Sequence, residues 1–167
     1  MKLFVIGLIF GCVLVPLAGI VYLRFGYVPV AVNGPVIPFE ELLAGAAVEA
    51  RIARDAPKNA ALPPSEENLT AGAMLYRERC VECHGLPGST PTAAAKGMYP
   101  PPPQFFEHKN MGNDPAGQNY WIVANGIRLT GMPGYKESLS DQQLWQLAQF
   151  LSNRGQLPAG ASTALTQ

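Results

Sequence analysis

The feature that most constrains this 167-residue chain is a run of five residues, Cys80-Val81-Glu82-Cys83-His84. The two thiols are spaced so that each adds across one vinyl group of the same haem, and the imidazole after the second thiol is then held beneath the iron. The run therefore points to one covalently attached haem c, with Cys80 and Cys83 as attachment residues and His84 as proximal ligand. Other uses of these residues are poorly supplied. A zinc site wants four ligands, and the chain offers Cys12, Cys80, Cys83, His84 and His108, with Cys12 in a distant apolar run. A thioredoxin-like pair opens a helix in a strand–helix–strand setting. This pair instead follows a helical stretch and precedes Gly85, Pro87 and Gly88.

The second constraint lies at the N-terminus, where Leu3 through Leu23 contains no charged residue. These 21 residues reach about 31 Å as a helix, the thickness of a bilayer's hydrocarbon core. A cleaved signal peptide usually has an apolar region of only about 7–15 residues and a small-x-small site, which Ala18-Gly19-Ile20 imitates poorly. The expectation is an uncleaved transmembrane anchor over residues 1–27, with residues 3–23 in the bilayer. Cys12 reads as an inert thiol within it, and Pro16 is tolerated in a membrane span. Lys2 and Arg24 flank the run and orient it poorly. Covalent haem attachment belongs to the oxidising side of a bacterial inner membrane, so a single-pass protein with its haem domain in the periplasm is expected.

Twelve basic and twelve acidic residues give a formal charge of zero, and with it no electrostatic case for nucleic acid. Residues 28–64 read as a Pro-rich linker carrying one amphipathic helix over about 39–55. Its apolar side of Leu42, Leu43, Ala46, Ala47 and Ala50 is expected to pack on the protein's own domain, docking on a membrane partner being the alternative. A haem domain is expected over 65–155 and a flexible tail over 156–167. Asn68 reads as the cap of a helix running to Arg79, a second helix covers about 119–126, and Ser140 with Gln143 forms a capping box for the last. No stretch sustains period-two alternation, so the fold class is all-α with long Pro- and Gly-rich loops.

Between 65 and 154 these residues resemble the class I cytochromes c. In that family a helix carrying a glycine and, four residues later, an aromatic crosses the C-terminal helix, and Gly72 and Tyr76 against Leu147 and Phe150 look like that crossing. The resemblance implies a methionine as second axial ligand. Met132, in Thr130-Gly131-Met132-Pro133-Gly134 before the final helix, is the expected one; Met74, Met98 and Met111 compete, as does His108 as a bis-histidine ligand. The resemblance also implies that a carbonyl of Pro100, Pro101, Pro102 or Pro103 accepts the other N–H of His84. Tyr99, Trp121, Arg128 and Tyr135 are the candidate donors to haem propionates.

With His84 and Met132 as iron ligands no coordination position stays open, which implies an electron carrier rather than an enzyme. The expected role is single-electron transfer between redox partner proteins, as a tethered carrier or as the haem subunit of a respiratory, photosynthetic or dehydrogenase complex. A haem-based sensor or peroxidase-like enzyme is the alternative, for which His108 and carboxylates such as Glu107 are the available acid–base groups.

Overall fold

A computed structural model describes residues 1–107 and 114–166. Every regular element among the described residues is a helix, and they contain no strand. Two compact units divide the chain, Met1–Glu40 and Glu41–Gln167.

The first unit is dominated by α1, Lys2–Arg24, long and apolar enough to cross a membrane and with none of its residues buried. Pro16 lies within it without ending it. The stop comes at Gly26, whose φ of +74° is the left-handed conformation that glycine adopts without steric cost. There the Gly26 N–H donates to the Leu23 carbonyl at 3.2 Å and the Tyr27 N–H to the Tyr22 carbonyl at 3.2 Å. This is a Schellman closure, and the two tyrosines that bracket it stack at 5.8 Å.

The second unit is built on the crossing of α3, Glu66–Arg79, with α7, Asp141–Ser152. On α3, Leu69, Gly72, Ala73 and Tyr76 repeat at helical spacing and are all buried. A Cβ at Gly72 would lie 2.7 Å from that of Phe150 and still closer to the Gln146 carbonyl, so only glycine admits the approach. Tyr76 and Phe150 then fill the contact with ring centroids 5.2 Å apart. The anticipated crossing of Gly72 and Tyr76 with Leu147 and Phe150 is the centre of the core. The capping box of α7 is also present, with Gln143 N–H on Ser140 Oγ and Ser140 N–H on Gln143 Oε1. α6, Ala116–Asn125, packs on α7 and stacks Tyr120 on Trp145 at 4.3 Å.

Four expectations are corrected. The cap of α3 is Ser65, whose Oγ accepts from the Asn68 N–H, while the Asn68 side chain donates to the Pro63 carbonyl and accepts from Gln146 Nε2. The stripe of Leu42, Leu43, Ala46, Ala47 and Ala50 on α2, Glu40–Asp55, is exposed; the helix buries Ile52 and half-buries Gly45 and Val48 instead. Residues 56–64, expected as the end of a Pro-rich linker, touch the domain that follows: Gln149 Nε2 donates to the Leu62 carbonyl and the Pro57 carbonyl seats where a Cβ on Gly117 would lie. Residues 156–167, expected as a flexible tail, carry α8, Ala159–Ala164, with Ala161, Ala164 and Leu165 buried against α3. Two short helices complete the fold: α4, Val81–His84, and α5, Ala93–Lys96.

Candidate haem site

Cys80 is both the last cap of α3 and the first of α4, so the motif is folded tightly onto the end of the core helix. Its N–H donates to the Tyr76 carbonyl at 2.8 Å, and its own carbonyl accepts from the N–H groups of Cys83 at 3.2 Å and His84 at 2.9 Å. Gly85, at φ +73°, ends the turn, and the buried Tyr76 hydroxyl donates to its carbonyl at 2.6 Å. This places two free, half-buried thiols and one buried imidazole on the wall of a single cavity of about 450 Å³.

The Nδ1 atom of His84 is 2.9 Å from the Pro103 carbonyl oxygen. A carbonyl only accepts, so Nδ1 carries the proton and Nε2 keeps its lone pair. Burial holds the His84 pKa below the ordinary imidazole value, against the opposing pull of the Pro103 bond, and the ring stays neutral. Of the four prolines that sequence leaves open, Pro103 is the partner. Gln104 fastens this run beneath the motif, its Nε2 donating to the carbonyls of Cys83 and Pro102. Phe105 then stacks on the imidazole at 4.6 Å and 13°. The Cys80 thiol is pushed up to about 12, chiefly by burial and next by Cys83, with Arg79 opposing. Redox-active CxxC cysteines are lowered, not raised, so Cys80 lacks the stabilised thiolate of a redox pair.

Another wall comes from the loop after α6. Gly126, at φ +66°, and Gly134 let the two ends of that loop touch, since a Cβ on Gly126 would lie 2.6 Å from the Gly134 nitrogen. Within it the Ile127 N–H donates to the Met132 carbonyl at 3.1 Å, and Thr130 Oγ1 donates to Ile127 O while accepting from the Met132 N–H. The Tyr135 and Lys136 N–H groups tie its far end to the Val123 and Ala124 carbonyls of α6. Met132 lines the cavity, and so does Met98, whose sulfur packs over Gly131. Met74 is exposed on α3 and away from the lining, while Met111 and His108 lie outside the described residues. Tyr135 lines the cavity and donates to the Arg79 carbonyl; Tyr99, Trp121 and Arg128 are not on its wall, and Tyr99 donates to Glu41. Sequence reasoning missed Phe105, Asn119 and Arg154. The guanidinium of Arg154 is buried, 5.3 Å above the Phe105 ring. Only the return of the chain after α7 brings it there.

Residues 67–151 match the family described as cytochrome C oxidase, cbb3-type, subunit III. The chain belongs to this family of c-type cytochromes. The cytochrome is also 40% identical, over 82 residues, to a thiosulfate dehydrogenase of Allochromatium vinosum. That stretch is 48% of this chain and 29% of the relative, so the cytochrome spans under a third of the curated protein it matches. No solved structure matches it. The family implies haem, usually bound covalently. The residues present fit such a group: the cavity falls within the roughly 300–1,000 Å³ of cofactor sites. Its walls carry paired thiols, an imidazole with its tautomer fixed, and thioether side chains.

Proposed function

We propose that this cytochrome binds one haem through thioethers at Cys80 and Cys83, ligates it with His84 and Met132, and passes single electrons between redox proteins. The carrying observation is the His84 imidazole, neutral, buried and aimed by Pro103, on the same cavity wall as both thiols. The haem, when bound, supplies a one-electron couple. The chain's part is to keep the Nδ1 proton on Pro103, to hold the Met132 backbone in its pinned loop, and to line the cavity with Ile122, Val123, Ile127, Pro133 and Leu151, which exclude water. With both iron positions taken by the chain, none is left for a substrate, which favours a carrier over an enzyme.

In this reading α1 is a single-pass anchor in the bacterial inner membrane with residues 3–23 in the bilayer. The haem-bearing domain, residues 65–155 with α8 packed on it, lies on the periplasmic side. The protein serves as a tethered carrier or as the haem subunit of an oxidoreductase complex. The relative's name, thiosulfate dehydrogenase, supports an oxidoreductase setting. Purification in mild detergent tests it: a red membrane protein with a stable far-red sulfur–iron band is expected. Rapid carbon monoxide binding by the reduced form, or peroxide turnover at enzymatic rates, would replace the carrier by the sensor or peroxidase reading.

A further inference from the structure

Between Arg24 and Glu40 the chain carries no charged side chain, and those 15 residues hold Phe25, Tyr27, Val28, Val30, Val32, Val36, Ile37 and Phe39. Nearly all of these are exposed, Val30 at 91% and Phe39 at 72%. A free tether is rich in Gly, Ser or charge so that water solvates it, and this segment has the opposite composition. It is continuous with α1, whose end carries the markers of a membrane–water boundary. Arg24 sits in the last turn, and Tyr22 and Tyr27 stack across the Gly26 closure.

We propose that residues 25–39 are a lipid-binding segment, lying in the headgroup region of the leaflet from which α1 emerges. The inference rests on the anchor reading of α1 and goes beyond it. The backbone sets the depth. The segment is not helical, and its few internal hydrogen bonds, such as Gly34 N–H to Ala31 O and Glu40 N–H to Ile37 O, leave most peptide groups needing water or headgroups. Such a backbone cannot enter the hydrocarbon core, while its Val, Ile and Phe side chains gain by leaving water. The interface satisfies both. Fully extended, 15 residues reach about 50 Å, and a free tether of that length would let the following unit range far from the bilayer. Laid on the lipid, it delivers Glu41 at the membrane surface.

The test uses the full haem-loaded chain in phosphatidylcholine–phosphatidylglycerol vesicles, with Cys12→Ala removing the free thiol. Nitroxide labels are placed singly by Leu14→Cys, Val32→Cys, Ile37→Cys and Lys58→Cys, and collision with oxygen and with a water-soluble nickel chelate is read for each. Labels at 32 and 37 should meet the chelate several-fold less, and oxygen more, than the label at 58, with depths between those at 14 and 58. A label at 14 as wet as that at 58 removes the anchor reading itself. A deep label at 14 with wet labels at 32 and 37 overturns only the lipid-binding segment, as does exclusion of both collision partners, which reports protein burial. Adding Val30→Glu and Val36→Glu should drive the label at 37 into water while that at 14 stays deep; no change overturns the proposal.

Discussion

The Nδ1 atom of His84 and the carbonyl oxygen of Pro103 lie 2.9 Å apart, and one proton can occupy that gap only if the ring carries it. Nineteen residues of sequence separate the partners. The contact exists because Gln104 ties the proline run to the Cys83 carbonyl, and Phe105 lies flat on the imidazole. The ring is thereby fixed in tautomer and in rotation. For His84→Ala, haem should stay attached through denaturing electrophoresis, since the thioethers do not depend on the imidazole. The folded variant should bind carbon monoxide quickly when reduced, which wild type should not. Haem lost from this variant on denaturation would remove the covalent assignment.

Met132 and Met98 share the cavity wall, and their surroundings separate them. Met132 sits in a loop closed by Gly126 and Gly134 and held by Thr130, whereas the Met98 sulfur is spent in packing over Gly131. Met132→Ala should abolish the far-red sulfur–iron band and lower the potential, and Met98→Ala should leave the band in place. The reverse pattern in oxidised absorption spectra would move the ligand to Met98.

Two glycines in helices should respond oppositely to alanine. At Gly72 the added methyl meets Phe150 Cβ and the Gln146 backbone, so α3 and α7 must separate. Overpacking of this kind costs about 1–3 kcal/mol. At Gly45 on α2 nothing lies within 4 Å, and alanine should stabilise by up to roughly 1 kcal/mol through helix propensity. Urea denaturation of the holoprotein followed by circular dichroism measures both.

How much was legible in sequence depended on whether the partner of each residue was local. The Cys80–His84 run and the Ser140–Gln143 box span a single turn each, and both read directly. Gly72 and Phe150 were readable only because a glycine followed four residues later by an aromatic carries a known resemblance. Ser65 and Asn68 are both good caps three residues apart, and the choice fell to Asn68's contacts with Pro63 and Gln146, which are set by tertiary packing. On α2 the apolar stripe of Leu42 and Leu43 is plain in the sequence, yet those residues are exposed and Ile52 is the one buried, an outcome that periodicity within the helix does not carry. The choice of Pro103 among the four prolines, and Arg154 altogether, were illegible for the same reason, each placed by a loop or chain return with no periodic signal.

Cys80 should give the haem-free protein a measurable alkaline signature. Its folded thiol titrates at about 12 because burial disfavours the thiolate, while an unfolded cysteine titrates near ~8.5. A raised acid favours the folded state below the unfolded value. That contribution is fully present below about pH 8.5 and is lost as pH rises toward the folded value. Haem-free protein should therefore lose urea stability steadily above about pH 8.5. Cys80→Ser should flatten that slope. At pH 8 a thiol reagent should modify Cys80 well below the rate of a free cysteine, as peptide mass mapping would show; an ordinary rate would mean the thiol is not raised.

Arg154 places a permanent cation beside the haem cavity, stacked on Phe105 at 5.3 Å, and Phe105 is in turn stacked on His84. A positive charge stabilises the reduced centre relative to the oxidised one, which carries one more positive charge. At an effective dielectric of ~20 a charge on the wall of the same cavity is worth on the order of 1 kcal/mol, a shift of tens of millivolts. Arg154→Gln should lower the midpoint potential by that amount. Arg154→Lys should keep most of the potential while losing stability, because an ammonium lacks the planar fork that both stacks on Phe105 and donates to the Leu151 carbonyl. Potentiometric titration of the two variants separates charge from packing. If Arg154→Gln melts earlier yet keeps the wild-type potential, the guanidinium is a packing element and His84 is tuned by Pro103 and burial alone.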